Sequence, residues 1–231
     1  DRAKPLDLIG MHMWPWGHVG AGYLVYTLLR RHSGERPAGA AVLALALGTQ
    51  FPDLVDKPFG WTVGVLPGGR SLAHSLLTTA VVAVLVLALA RRVRHCVAGL
   101  AFLLGVVLHL LGDALYPALR GEIGELSFLL WPVLPMPEPE LAQQFTAHLG
   151  AVEPGPQFAF ELLLAVGALW AWHDDVIPAQ GRSAVVQPGV SGASEPRWVT
   201  VVSVPETAAR VYLFPAEMCW YASYKEAHRW Y

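Results

Sequence analysis

Apolar residues fill long blocks of this chain, and the polar residues that interrupt them are few and of particular kinds. Gly17 to Leu29 reads as a helix, with His18 in its first turn and Arg30-Arg31 at its end. The preceding Trp14-Pro15-Trp16 suits an interfacial aromatic anchor. Ala38 to Gln50 reads as a second short apolar helix, which Pro52 is expected to stop. Asp53 and Asp56 then fall in a loop ending at Pro58, and a Gly/Pro-rich loop runs on to Arg70. Ser71 to Ala90 is the best single candidate for a membrane span, with His74 near its start. Cys96 to Tyr116 returns as an apolar helix broken by His109 and Asp113, which the four-residue spacing places on one helical face. Leu126 to Met136, interrupted by two prolines, reads as a partly inserted loop, and Phe158 to Trp172 as a last apolar helix. From Pro178 the chain turns polar, with a short alternating strand expected at Trp198 to Val204.

The basic clusters lie at residues 30–36 and 91–95, and the positive-inside rule places both on the cytoplasmic side. Measured from these turns at about 1.5 Å per residue, His18, Asp53, His74, His109 and Asp113 lie between roughly 20 and 27 Å away. Four separate segments therefore bring metal-ligand side chains to one layer, toward the non-cytoplasmic face. A scaffold of polar helix contacts or a transport pathway would use the same residue types, but a pathway spreads its ligands over several depths.

Composition agrees with a membrane setting. Of the 231 residues, 54% are hydrophobic and only 15% charged, against about 25% charged in an ordinary soluble domain. A net charge of -2 gives no electrostatic case for nucleic-acid binding. The two cysteines, Cys96 and Cys219, have no metal or redox spacing. Three histidines with two carboxylates suit zinc or a similar divalent ion, one or two in number, with the carboxylates able to bridge. Asp53 is the candidate to accept a proton from an activated water, and Arg70 the candidate to hold an anionic substrate oxygen. Asp56 and Lys57 read as a solvated loop pair. His12, His32, His95, His148, His173 and His228 read as surface or terminal residues.

Four motifs carry a resemblance: Trp14-Pro-Trp-Gly-His18, Phe51-Pro-Asp53-Leu-Val-Asp-Lys-Pro58, Arg70-Ser-Leu-Ala-His74-Ser75 and His109-x3-Asp113. Together they resemble a family of membrane-bound metal-dependent hydrolases, some bacterial members of which are LexA-regulated inner-membrane proteins. Their order is in turn similar to that of zinc-dependent phospholipase C and S1/P1 nuclease. That likeness implies a bridging Asp113, one metal completed by His74 and His109, and another held by His18 and Asp53. Only His148 and Glu153 are available downstream for a further metal, five residues apart where the phospholipase pattern has four, so none is expected. Trp14 and Trp16 are internal, unlike the N-terminal tryptophan whose amine binds metal in the phospholipases.

The expectation is an all-α, polytopic helical membrane bundle with a phospholipase C/P1 nuclease-like core over residues 14–175. A disordered lead, 1–13, would precede it, and a polar C-terminal region, 176–231, would follow. The expected function is metal-dependent hydrolysis of a phosphoester or lipid-like substrate at the non-cytoplasmic face of the inner membrane. A membrane metal-binding or transport protein and a non-catalytic scaffold are the alternatives. The sequence leaves the oligomeric state open.

Overall fold

The computed structural model describes residues 13–37, 39–135 and 154–181, with side chains to Asp175. Every regular element among them is helical: α1 (Pro15–His32), α2 (Gly39–Lys57), a π-helical turn (Pro58–Val63), α3 (Leu76–Arg92), α4 (Cys96–Arg120), a 3-10 helix (Ile123–Leu130) and α5 (Pro156–Gly181). The expected strand at 198–204, the lead up to residue 12 and the His148/Glu153 pair lie outside the described residues.

The core forms where α4 packs against α2, with α1 beside both and α5 against α1. Glycines set the α2–α4 spacing. A Cβ on Gly48 would overlap the carbonyl of Phe102, and one on Gly105 would overlap the carbonyl of Leu45. The two backbones therefore touch, as small residues permit between helices in a membrane. Tyr23, Tyr26, Leu45 and Ala101 are buried around this contact. Away from it, Leu43, Leu47 and Leu54 on α2, Val81, Val84, Leu85 and Leu89 on α3, and Leu163, Leu169 and Trp170 on α5 are all exposed. An apolar exterior of this extent suits lipid rather than water. Among the described residues one helix, α4, is by length and composition able to cross a membrane; its 25 residues span about 37 Å.

Several boundaries differ from the sequence reading, each for a physical reason. Pro52 does not stop α2, which continues to Lys57. The turn beyond the proline is held by an Asp53–Lys57 ion pair one helical turn apart, 2.6 Å long, and by a buried carboxylate at Asp56. α3 begins at Leu76 rather than Ser71. Ser75 caps it by accepting the Leu77 N–H, while residues 71–74 are drawn into an irregular turn around Asp56. Arg70 is therefore not on a helix. The stretch from Leu126 is partly regular, since the 3-10 helix occupies residues 123–130 and buries Phe128. At the far end of α1, Arg31 bonds Asp175 of α5 at 2.9 Å and Tyr23 donates to the same carboxylate at 3.1 Å. Of these two partners on α1, Arg31 lies about 20 Å along the helix from His18 and Tyr23 about 8 Å.

Candidate metal site

The five ligands expected from sequence all meet. His18 comes from the first turn of α1, Asp53 from the last turn of α2, His74 from the turn before α3, and His109 and Asp113 from successive turns of α4. All are buried. His18, His109 and Asp113 offer atoms within 4.8 Å of one another, and so do Asp53, His74 and His109. Asp53 thus stands with His74 and not with His18, a different partition from the one the phospholipase likeness implies.

The distances suit a metal. His74 Nε2 lies 3.1 Å from His109 Nε2, 3.5 Å from Asp53 Oδ1 and 3.3 Å from Asp113 Oδ2. His109 Nε2 lies 3.8 Å from each of the same two carboxylate oxygens. A tetrahedral ion with bonds of 2.0–2.2 Å needs ligand atoms about 3.3–3.6 Å apart. On the other side of Asp113, Oδ1 is 3.3 Å from His18 Nε2. Asp113 therefore directs one oxygen to each group, as a bridging carboxylate would.

The outer contacts decide which ring nitrogens face inward. His109 Nδ1 sits 2.7 Å from the Thr49 carbonyl, which only accepts, so this nitrogen carries the proton and Nε2 offers a lone pair. His74 Nδ1 sits 2.8 Å from Asp56 Oδ2 and is likewise the donor. Two Nε2 atoms aimed at each other over 3.1 Å need a positive charge between them. Burial opposes charging His74, but hydrogen bonds to Asp113, Asp53 and Asp56 outweigh it and raise the pKa of this residue to about 10. The carboxylates thus attract a cation to this point, whether a proton or a metal.

Asp56 is the residue the sequence reading misplaced. It is no solvated partner of Lys57: it is fully buried and accepts the backbone N–H groups of Ser71, Ala73 and His74 as well as the His74 ring. A helix continued through Pro52 would have put Asp53, Asp56 and Lys57 on adjacent positions of one face, and that was the available signal. The Thr49 carbonyl is a backbone partner that no residue pattern announces.

Two cations border the cluster. Lys57 holds the outer oxygen of Asp53 and lies over the Trp61 ring at 5.4 Å. Arg70 Nε is 3.9 Å from Asp113 Oδ2, with its guanidinium 5.5 Å over Phe128. Their side chains keep 17% and 16% of their surface accessible, against 10% for Asp53 and at most 4% for the other four candidate ligands, so the cations and Asp53 mark the approach to the site. His32, His95 and His173 stay on the surface, as expected.

Comparison with curated proteins and with solved structures returns no match. A family model does match, over residues 13–199, which takes in every residue of the cluster and the five long helices among the described residues. The chain belongs to the family of YdjM inner membrane proteins.

Proposed function

We propose that the protein is a metal-dependent hydrolase of the inner membrane, acting on a phosphoester or lipid-like substrate. The observation that carries the metal reading is the pair of imidazole lone pairs on His74 and His109, fixed toward each other by Asp56 and the Thr49 carbonyl and flanked by two carboxylates. This is the usual arrangement of a histidine ligand whose second nitrogen is held by an oxygen acceptor. Zinc fits the nitrogen and oxygen donor set, and the shared Asp113 allows for a second ion. Once bound, a divalent ion supplies Lewis acidity that activates water and polarises an ester oxygen.

The chain's own residues would do the rest. Asp53 keeps its inner oxygen at the cluster and its outer oxygen on Lys57, a placement suited to accepting a proton from the attacking water. Arg70 would hold an anionic substrate oxygen with its planar donors. The exposed apolar residues of the segment between these cations, Phe59, Val63 and Val65, favour an amphiphile.

The test is metal analysis of purified protein followed by assays of phospholipid, nucleotide and peptide substrates with Zn²⁺, Mn²⁺ or chelator. Turnover that chelator abolishes, and that Asp53→Asn loses while keeping at least one metal, is the expected result. Protein that takes up no metal overturns the reading. Metal transport in liposomes with no turnover of any substrate replaces it with the transport alternative.

A further inference from the structure

One buried acid takes no part in the cluster described so far. Glu161 is the sole acidic residue in the apolar stretch 156–172 of α5, and it is fully buried. Its Oε2 accepts the Trp14 N–H at 2.8 Å. Its Oε1 accepts from Gln157 Nε2 at 2.9 Å and from Tyr116 OH, on α4, at 3.3 Å. The carboxylate therefore lies at the N-terminus of α1, a helix that has no side-chain cap of its own and has proline at its first position. A negative group from a neighbouring helix fills that place and meets the positive end of the α1 dipole. Gly17 makes the approach possible, since a Cβ there would come within 2.8 Å of Cγ of Met13, 3.0 Å of Oε2 and 3.1 Å of Cγ of Glu161.

His18 is the next residue. Unlike His74 and His109, it has no outer acceptor to fix its ring: both ring nitrogens are buried, Nδ1 has no hydrogen-bond partner, and Nε2 has only the inward-facing Asp113. Its ring stacks on His109 at 3.8 Å and its Nε2 faces Asp113. Away from the cluster, the backbone of the first turn is thus what sets the ring's position; Glu161 holds that turn at the Trp14 N–H, and Gln50 donates to the Pro15 carbonyl at 3.2 Å. We infer that Glu161 is the positioning residue for His18, fixing it at the His18–His109–Asp113 group without itself touching the ion. The Trp-Pro-Trp-Gly-His run then combines a seat for the α5 carboxylate, at Trp14 and Gly17, with the ligand that the seat positions. This inference rests on the metal reading proposed above.

The test uses the full chain in detergent, with Co²⁺ alone as the probe. Wild type and His18→Ala give the two reference absorption spectra. Glu161→Gln, close to isosteric but uncharged, is expected to bind Co²⁺ about 10–100-fold more weakly at this group, the usual cost of losing an outer-sphere partner. Its spectrum should move toward that of His18→Ala while its thermal unfolding still reports a folded protein. Gly17→Ala disturbs the same contact from the other side and should give the same change. The double variant should then be no worse than the more affected single one. Should the Gln variant fail to fold, Gly17→Ala carries the measurement. Wild-type affinity and spectrum in the folded Glu161→Gln or Gly17→Ala protein would overturn the inference and leave Glu161 as helix packing alone. Absence of any Co²⁺ binding by wild type would instead overturn the metal reading on which it rests.

Discussion

At the scale of single residues, the cluster divides into groups that face the centre and groups that hold them. Asp56 belongs to the second kind. It satisfies three backbone donors and the His74 ring at once. Asparagine there would turn one accepting oxygen into a donor facing donors. We expect Asp56→Asn to weaken metal binding about 10–100-fold and to lower stability by roughly 1–3 kcal/mol. Competition with a chelator of known affinity, on protein shown to be folded, measures the first; wild-type affinity would deny Asp56 its role. His109→Ala and Asp113→Ala should each lower metal content outright, since His109 belongs to both groups of candidate ligands and Asp113 faces both. His148→Ala should not. Metal unchanged in both helix variants would remove the central claim. The convergence of the five candidate ligands could be read from sequence because His18, His74, His109 and Asp113 are costly polar residues in apolar segments and Asp53 falls at the same depth. Asp56 could not be read that way, because beside Lys57 and just before Pro58 it looks like half of a solvated loop pair. Glu161 carried the same signal as the ligands, a lone acid in an apolar helix, but no motif drew attention to it.

At the scale of helices, sequence patterning located the apolar blocks well and their ends less well. The depth argument placed five side chains in one layer because helix rise is constant and the helices alternate in direction, so that spacing from each basic turn translates directly into height. The ends shifted where tertiary bonds outweighed local rules: Asp53–Lys57 carries α2 past Pro52, and Asp56 unwinds the start expected for α3. The phospholipase likeness could not sort the candidate ligands into their two groups, because that partition depends on side-chain reach across helices. Packing of α2 on α4 depends on Gly48 and Gly105, whose missing side chains let carbonyls lie against the neighbouring helix. This contact also brings the Thr49 carbonyl to His109. Gly105→Leu should therefore cost about 1–3 kcal/mol by overpacking, lowering the unfolding midpoint by roughly 2–12 °C, and should reduce metal content as well. A stable variant with full metal content would show that the close approach is dispensable.

At the scale of the whole molecule, chain direction decides where the site faces. α1 runs from His18 to its basic end at Arg30-Arg31, and α2 returns from there to Asp53. α3 runs from the His74 turn to Arg91-Arg92, and α4 returns through His109 to Asp113. Both basic turns thus lie at the helix ends remote from the cluster. Arginine is retained on the cytoplasmic side during insertion, so the cluster should open toward the opposite face, near the membrane surface. His109 lies 13 residues into α4, about 20 Å from its basic end in a hydrocarbon core about 30 Å thick. A substrate would then reach Lys57 and Arg70 from the outer interface. The prediction can be checked by placing single cysteines at Gly34 and Val93, in the basic turns, and at Gly64 and Gly121, beyond the other helix ends. Intact cells treated with a membrane-impermeant maleimide should label positions 64 and 121, above the signal of the parent chain. Positions 34 and 93 should label only after the membrane is opened. The reverse pattern would invert the topology and give the site a cytoplasmic substrate. Labelling of all four from one side would mean that these helices lie on the membrane without crossing it, and that α4 is sheltered by its neighbours rather than by lipid.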